Sequence, residues 1–232
     1  MTLKRGNHEF QKACLTREQN AYYIARKKML DEQIRPAVKD ERVLRAMSVV
    51  PRERFVPSAL IGQAYSDHPL NIGEGQTISQ PLIVAMMTEQ LRLKGDERIL
   101  EIGTGSGYQA AILCELCKQV YSIERLTGLS NRARMTLYDL GYVNFTLRIG
   151  DGTKGWAEAA PFNGIIVTAG APVVPEALTE QLAEGGRLVI PVGGEDVQTL
   201  KVITRIGGRF VEESISGCRF VKLIGEDGWK ER

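Results

Sequence analysis

The pattern that most constrains the fold is the segment ILEIGTGSGY at residues 99–108, a short apolar run followed by alternate glycines. The apolar run predicts a buried strand, and the residues after the glycines predict a helix over 108–117. Alternate glycines remove side chains where the chain turns tightly, so a ligand can approach the backbone. The segment therefore predicts a strand-helix-strand unit with a ligand at its turn, although glycine-rich turns that bind nothing are also common.

An acid follows the second predicted strand of this unit. That strand ends at Glu124, which lies 21 residues after Gly103. A carboxylate at this position can accept hydrogen bonds from the two hydroxyls of a ribose. Gly103 and Glu124 together predict a ligand that contains adenosine.

Spacing and charge distinguish between two adenosine ligands. The third glycine, Gly107, comes one residue earlier than in the G-x-G-x-x-G fingerprint of dinucleotide sites. Glu101, two residues before Gly103, repels a pyrophosphate but attracts a cationic amine or sulfonium. These residues favour S-adenosylmethionine over NAD as the cofactor.

The composition is that of an ordinary globular protein. Of the 232 residues, 43% are hydrophobic and 25% are charged. The net charge of +2 gives no field that attracts nucleic acid or an anionic membrane. No apolar run approaches the ~20 residues of a membrane helix, and residues 1–15 lack the apolar core of a signal peptide. We predict a cytoplasmic monomer with no nucleic-acid or membrane partner, in which residues 1–15 form a loosely ordered extension.

Cysteines can bind metal ions or take part in redox chemistry, and this sequence has four: Cys14, Cys114, Cys117 and Cys218. Cys114 and Cys117 match C-x-x-C, but a zinc site lacks further partners at the usual spacing, since the only histidines are His8 and His68. The pair is predicted to be two buried thiols on a helix, and no metal site is predicted.

Three helices are predicted before the glycine turn. A capping box predicts a helix over 16–33, and Asp40 is predicted to cap a second helix. Pro81 is predicted to start a third helix over 82–93. Residues 66–80 are polar, contain two glycines and show little periodicity.

From residue 98 onward, predicted strands and helices alternate. The strands are 98–102, 119–123, 144–149, 163–168 and 187–192. The helices are 108–117, 127–140 and 175–183, the last ending at Gly185-Gly186 as a C-cap pair. A hairpin of 199–206 and 209–215 turns at Gly207-Gly208, and a last strand covers 218–224.

This order predicts an α/β fold with a doubly wound, mostly parallel sheet, extra N-terminal helices and a C-terminal antiparallel strand addition. Residues 16–232 are predicted to form one domain. Its N-terminal helical and substrate-side segment is 16–94, and its Rossmann-like core is 95–232.

Two further segments carry candidate site residues. Asp151-Gly152 follows the third strand at the same sheet edge as Gly103, where Asp151 can accept a hydrogen bond from an adenine amino group. Thr77 and Ser79 precede the proline-started helix, whose free N–H groups favour a carboxylate. A plain Asp-Gly turn and a helix-capping Ser79 are the alternative interpretations.

The chain also resembles a known family in its segments GQTISQP, LEIGTGSGYQAA, VYSIER, GDG, APFNGIIVTAGAP and EGGRLVIPVG. In this order they are similar to the protein-L-isoaspartate O-methyltransferases, from about Ala25 to Trp229. The resemblance implies a Rossmann-like, S-adenosylmethionine-dependent methyltransferase that releases S-adenosylhomocysteine. Its implied substrates are isoaspartyl residues of damaged proteins and peptides, methylated at the α-carboxylate so that the ester collapses to a succinimide and partly reopens as aspartyl.

The resemblance also implies site residues. Ser79 matches the catalytic position. The cofactor-binding positions are Thr77, Ile78, Ser79, Glu101, Gly103, Thr104, Gly105, Glu124, Asp151, Gly152 and Gln198.

The sequence departs from the family pattern at Asn71, Asn163 and Lys222, none of them at a position assigned to the chemistry. Lys222 stands where the family commonly has proline, near the C-terminus. Two other functions remain as alternatives: a methyltransferase for a different small-molecule or protein acceptor, and a non-catalytic binding module. An amine or phenol acceptor usually needs a base, and the TISQP segment offers no obvious one.

Overall fold

The structure, a computed structural model, describes residues 16–231. The predicted extension over residues 1–15 lies outside the described residues, as do Cys14 and His8. Within residues 16–231, no helix combines the length and the apolar character that crossing a membrane requires.

The N-terminal helices begin where their caps predict. Helix α1, Arg17–Met29, starts at Thr16, which exchanges hydrogen bonds with Gln19 at 2.9 and 3.2 Å. It continues as one π-helical turn, Leu30–Ile34. Helix α2, Glu41–Val49, starts at Asp40, whose carboxylate accepts from the Arg42 N–H at 2.9 Å.

Residues 66–80 contain a small hairpin that the sequence did not predict. Strands β1, Leu70–Gly73, and β2, Gln76–Ile78, pair antiparallel. Strand β1 has two buried residues and β2 has one, which is too short a run for periodicity to reveal. Helix α3, Pro81–Gln90, follows and ends three residues earlier than predicted.

A seven-stranded sheet forms the centre of the molecule. Its strands are β3 (Arg98–Ile102), β4 (Gln119–Glu124), β5 (Phe145–Ile149), β6 (Phe162–Val167), β7 (Leu182–Gly193), β8 (Gln198–Ile206) and β9 (Arg209–Cys218). Three helices connect them: α4 (Tyr108–Leu116), α5 (Thr127–Asp139) and α6 (Glu176–Glu180). The strand order is β5-β4-β3-β6-β7-β8-β9, parallel from β5 to β7 and antiparallel at β8 and β9. The predicted fold class is confirmed.

The prediction around Gly185-Gly186 is wrong. Helix α6 ends at Glu180, and the glycine pair lies inside strand β7, where the pairing with β6 shifts register. A Cβ on Gly186 would lie 3.0 Å from the Phe162 carbonyl oxygen of the paired strand. The glycines therefore mark a β-bulge rather than a helix C-cap, because a bulge also needs a residue without a side chain.

The predicted strand at 218–224 is also wrong. Strand β9 extends to Cys218, and the residues after it make only isolated bridges, Gly170 with Lys222 and Ile224 with Trp229. Residues 219–229 are called the C-terminal segment below.

The central strands β3 and β6 are buried on both faces, which explains their apolar sequences. On β3, Ile99 packs into one core cluster, while Leu100 and Ile102 pack into the other. Strand β3 also has β4 on one side and β6 on the other, so the chain reverses direction across the sheet at this strand. In a doubly wound sheet, the crevice beyond the carboxyl ends of such strands is where a ligand binds.

Candidate active site

A pocket of about 850 Å³, open to solvent, lies at the carboxyl ends of β3, β4 and β6. The structure brings most of the predicted site residues together in its wall. These are Thr77, Ile78, Ser79, Gly103, Thr104, Gly105, Glu124 and Gly152. Three predicted residues, Glu101, Asp151 and Gln198, lie outside the lining.

The glycine turn has a backbone that other residues rarely adopt. Gly103, Gly105 and Gly107 have φ values of 94°, 53° and 90°. A Cβ on Gly103 would also lie 2.5 Å from the Thr168 hydroxyl, which donates to the Gly103 carbonyl at 2.7 Å. The turn is thus fixed closely against β6, and its backbone forms one wall of the pocket.

Glu124 braces this turn. Its Oε2 accepts from the Gly105 N–H at 2.9 Å and its Oε1 from the Leu126 N–H at 3.0 Å. The side chain lines the pocket at 6% exposure. A carboxylate has about four acceptor positions, so roughly two remain for hydroxyls of a ligand.

Glu101 is a fully buried acid behind the same turn. Its Oε2 accepts a hydrogen bond from the Ser122 hydroxyl, while its Oε1 has no partner within residues 16–231. The Ser122 hydroxyl lies 2.6 Å from the hydroxyl of Thr104, which lines the pocket. Burial raises the pKa of Glu101 to about 8, so the carboxyl is largely protonated at neutral pH.

Gly152 lines the pocket, whereas Asp151 lies outside the lining. Gly152 lies in the pocket wall, where a Cβ would approach Ile102 to 2.3 Å. Asp151 accepts from the Thr153 N–H and hydroxyl at 2.8 and 2.7 Å and from the Glu226 N–H at 2.7 Å. Partial burial raises the pKa of Asp151, but these hydrogen bonds outweigh it and hold the pKa below the ordinary value. The Asp151 carboxylate therefore anchors the C-terminal segment.

The Ser79 hydroxyl is free to meet a ligand. Ser79 is half-buried in the pocket wall, and within the described part of the chain its hydroxyl makes no hydrogen bond. The N-cap of α3 is Gln80, not Ser79, and it makes no side-chain capping bond. Instead Asp67, from the preceding loop, accepts from the Leu82 N–H at 3.2 Å. The alternative interpretation of Ser79 as a helix cap is wrong.

Gln198 supports the pocket from outside. Its amide nitrogen donates to the Gly194 carbonyl at 2.6 Å, and its amide oxygen accepts from the Phe220 N–H at 2.8 Å. It is 3% exposed. Gln198 thus joins the loop after β7 to the start of the C-terminal segment.

The C-terminal segment closes one side of the pocket, as the resemblance implies for the residues around Lys222, but it does so without forming the predicted strand. Residues 221–224 line the pocket and are held by Gly170, whose N–H donates to the Val221 carbonyl at 2.7 Å. Gly170 also accepts from the Leu223 N–H at 2.8 Å. The Lys222 ammonium lies 2.6 Å from a Glu195 carboxylate oxygen and 5.5 Å from the Trp229 ring centre. No local pattern could have identified these residues, because their contacts depend on the tertiary fold.

Other lining residues were missed as well. Thr168 and Ala169 follow β6 at the same edge as the glycine turn, and a polar residue directly after a buried strand was a usable signal. Tyr108 begins α4 and is 1% exposed, and its hydroxyl has no hydrogen-bond partner within residues 16–231.

The C-x-x-C pair is buried, as predicted. Cys114 and Cys117 are 9% and 7% exposed and unbridged. Burial raises the pKa of the Cys117 thiol to about 12 and that of Cys114 further, so neither thiol is reactive at neutral pH. In residues 16–231, no group of three or more histidine, cysteine, aspartate or glutamate side chains is placed to hold a metal ion.

Comparison with known proteins adds sequence relatives. The family model for Protein-L-isoaspartate(D-aspartate) O-methyltransferase (PCMT) matches residues 24–228. A protein-L-isoaspartate O-methyltransferase of Geobacter metallireducens is 58% identical over 208 residues, covering 89% of this chain and 96% of the relative. The enzyme of that name from Syntrophus aciditrophicus is 57% identical, covering 88% of this chain and 95% of the relative.

Solved structures are similar over the same range. One protein-L-isoaspartate O-methyltransferase matches with a TM-score of 0.79 at 30% identity, covering 88% of this chain and 67% of that chain. A second, described as a protein-L-isoaspartate O-methyltransferase from Plasmodium falciparum in complex with S-adenosyl-L-homocysteine, matches with a TM-score of 0.76 at 27% identity. That match covers 86% of this chain and 98% of that chain.

Proposed function

This chain belongs to the protein-L-isoaspartate(D-aspartate) O-methyltransferase family, and we propose that it methylates the α-carboxylate of L-isoaspartyl residues in damaged proteins and peptides. The methyl donor is S-adenosylmethionine and the product is S-adenosylhomocysteine. The observation that carries the proposal is the free Ser79 hydroxyl in the same pocket wall as the glycine turn.

The residues of the pocket fit the proposed cofactor. The positive-φ glycines at 103 and 105 leave their backbone uncovered by side chains, and Gly152 lets the backbone of the wall pack directly against Ile102, where a Cβ would clash. Glu124 keeps free acceptor positions for the ribose hydroxyls. When bound, S-adenosylmethionine supplies a methyl group on a cationic sulfur.

Three other predicted residues act from behind the wall in this proposal. Glu101 supports Thr104 through Ser122, Asp151 fixes the C-terminal segment, and Gln198 fixes the loop after β7. Thr77 and Ile78 complete the wall beside Ser79 and place it against the cofactor.

The acceptor group needs no general base. A carboxylate with a pKa near ~4 is already ionised at neutral pH, so no proton has to be removed. The obstacle is that a carboxylate is hydrated and a weak nucleophile. The chain must therefore orient one oxygen and remove its water, and alignment of this kind contributes up to about 7–11 kcal/mol. We assign the hydrogen bond that orients the carboxylate to the Ser79 hydroxyl, which holds an oxygen less strongly than a cationic side chain does.

A paired-peptide assay tests the proposed function. Purified protein is incubated with methyl-labelled S-adenosylmethionine and a peptide containing one isoaspartyl residue, beside the same peptide with aspartyl. We expect base-labile label in the isoaspartyl peptide only. Equal labelling of both peptides, or none in either while the cofactor binds, would contradict the proposed substrate.

The cytoplasmic location, the monomeric state and the lack of a nucleic-acid partner stay predictions from the sequence. Light scattering on the purified protein measures its oligomeric state directly. Cell fractionation tests the compartment, and a gel-shift assay with mixed DNA and RNA tests the third prediction.

A further inference from the structure

Arg52 is a buried cation that forms no ion pair with a carboxylate within residues 16–231. It lies in the 3-10 turn Arg52–Phe55, and its side chain is 0% exposed. Its Nε donates to the Ala64 carbonyl and its Nη2 to the Ser79 carbonyl, both at 2.7 Å. Within residues 16–231, its Nη1 has no hydrogen-bond partner. Burial lowers the pKa of Arg52, but a guanidinium remains protonated in proteins.

Two carboxylates on neighbouring segments, Glu53 and Asp67, are hydrogen-bonded to other groups, and Asp67 attracts the Arg52 guanidinium without forming an ion pair with it. Glu53 lies 3.5 Å from Arg26 and accepts a hydrogen bond from Tyr65. Asp67 accepts two hydrogen bonds at the start of α3. A buried charge without a counter-ion is costly, and an anion placed close to it removes part of that cost.

Arg52 contacts both halves of the pocket: the acceptor half, which includes Ser79, and the cofactor half, which includes the glycine turn and the start of α4. Its Nη2 holds the carbonyl of Ser79, and its guanidinium carbon lies 4.7 Å from the ring centre of Tyr108. Ser79 belongs to the segment that we assign to the acceptor, and Tyr108 begins the helix that follows the glycine turn. A shift of Arg52 would therefore move the two halves relative to each other.

The hydrogen bond to Ser79 also acts on the next N–H group. The Ser79 carbonyl shares its peptide unit with the Gln80 N–H, for which residues 16–231 provide no acceptor. A charged donor on the carbonyl polarises the peptide unit and makes the N–H a stronger donor. An anion beside Ser79 has the hydroxyl as its donor in the pocket wall, and the polarised peptide unit behind it adds to the positive potential there.

We propose that Arg52 is a positioning residue that selects for the negative charge of the substrate carboxylate from behind the pocket wall. This inference rests on the proposed function. Arg52 fixes Ser79 against the start of α4 and supplies positive charge without contacting the reacting oxygen. A guanidinium in direct contact would bind the carboxylate strongly in its ground state and so slow its attack.

The test compares a charged ligand with a neutral one of the same shape. The SAH complexes of the wild type, Arg52→Lys and Arg52→Met are titrated by calorimetry with an isoaspartyl peptide and with its α-carboxamide twin. We expect the wild type to bind the acid at least 10-fold more tightly than the amide. Arg52→Met should weaken acid binding about 10-fold and leave amide and SAH binding within 3-fold. Arg52→Lys should keep most of the acid preference but lower kcat, because it lacks the fork that holds two carbonyls.

A second buried arginine provides a matched control. Arg187 is 7% exposed, donates to the Gln90 carbonyl at 2.5 Å and lies outside the pocket lining. Arg187→Met should lower the melting temperature and leave the ratio of acid to amide affinity unchanged.

Each outcome decides the inference. If Arg52→Met weakens binding of the acid peptide and the amide peptide equally, or weakens neither, Arg52 serves only to stabilise the fold. If Arg52→Met does not fold, the lysine variant decides: a retained acid preference with lowered kcat supports the inference, and a lost preference overturns it. Wild-type turnover on the isoaspartyl peptide is measured separately. If the wild type neither binds nor methylates this peptide, the proposed function and the role of Arg52 are both overturned. If the wild type is active but Arg52→Met keeps the same preference for the acid over the amide, only the role of Arg52 is overturned.

Discussion

Replacing the buried acid Glu101 by glutamine should stabilise the protein increasingly as the pH rises. Glu101 is 0% exposed, and one of its carboxyl oxygens has no hydrogen-bond partner within residues 16–231. Ionising such a group removes a charge from water without compensation, which is why burial raises its pKa. Glutamine has nearly the shape of the protonated acid and can still accept the hydrogen bond from Ser122.

The size of the effect follows from the two pKa values. In the folded protein the pKa of Glu101 is about 8, and in the unfolded chain it returns to the ordinary value of 4.5. Between these values the folded state binds one more proton than the unfolded state, so wild-type stability falls by about 1.4 kcal/mol per pH unit. This contribution is fully present below pH 4.5 and lost once the pH passes 8. Since glutamine does not titrate, Glu101→Gln should gain on the order of 4 kcal/mol over the wild type from pH 5 to pH 8.

Urea denaturation of both proteins without ligand at pH 5, 6.5 and 8 measures this difference. The m values should agree at each pH, so that differences in midpoint report stability. A free-energy difference that stays constant over this range would refute the reasoning, because it would mean that Glu101 ionises in the folded protein as it does in water.

Three further predictions concern the pocket. Ser79→Ala should raise the activation barrier for methylation of an isoaspartyl peptide by about 1–3 kcal/mol, and so lower kcat, while cofactor affinity stays within a few-fold. A fully active variant would show that Ser79 takes no part in the chemistry. Glu124→Ala should weaken cofactor binding by about 1.5–3 kcal/mol in calorimetry, with Glu124→Gln intermediate because its amide can still accept one hydrogen bond. Unchanged affinity in both variants would contradict the ribose assignment. A cysteine-free variant assayed with a chelator should keep wild-type turnover, since Cys114 and Cys117 are buried, and a loss of turnover in folded protein would refute this.

The cofactor half of the pocket could be predicted because it is built from local units. The glycine turn after β3 and the acid at the end of β4 belong to one strand-helix-strand unit, whose geometry fixes their relative positions. The starts of α1 and α2 were predicted for the same reason, because a cap and its partner lie within a few residues, and the start of α3 was predicted from Pro81 at its first position. The prediction of a helix end at Gly185-Gly186 was wrong, because glycine is favoured both at β-bulges and directly after a helix.

The acceptor half was less predictable because its contacts connect distant segments. The C-terminal segment is held at the pocket by long-range contacts, among them the bridge to Gly170 and the hydrogen bond from Glu226 to Asp151, which lies 75 residues earlier. The Asp151 carboxylate accepts three hydrogen bonds within the described chain, and its contact with an adenine amino group stays a prediction. Nothing in the local sequence predicts that Arg52 is buried, because a lone arginine is usually exposed.

The cofactor half and the acceptor half of the pocket therefore differ in the substitutions that they tolerate. A change in the glycine turn alters a backbone that Thr168 and Glu124 hold from both sides, so few residues fit there. Lys222, in contrast, meets Gly170 through the backbone of its neighbours Val221 and Leu223, while its side chain pairs with Glu195. The backbone bridge does not use the Lys222 N–H, so it is compatible with lysine here and with the proline that the family commonly has at this position. Variation at the acceptor side can therefore change the charge at the pocket wall without disturbing the backbone that holds the cofactor.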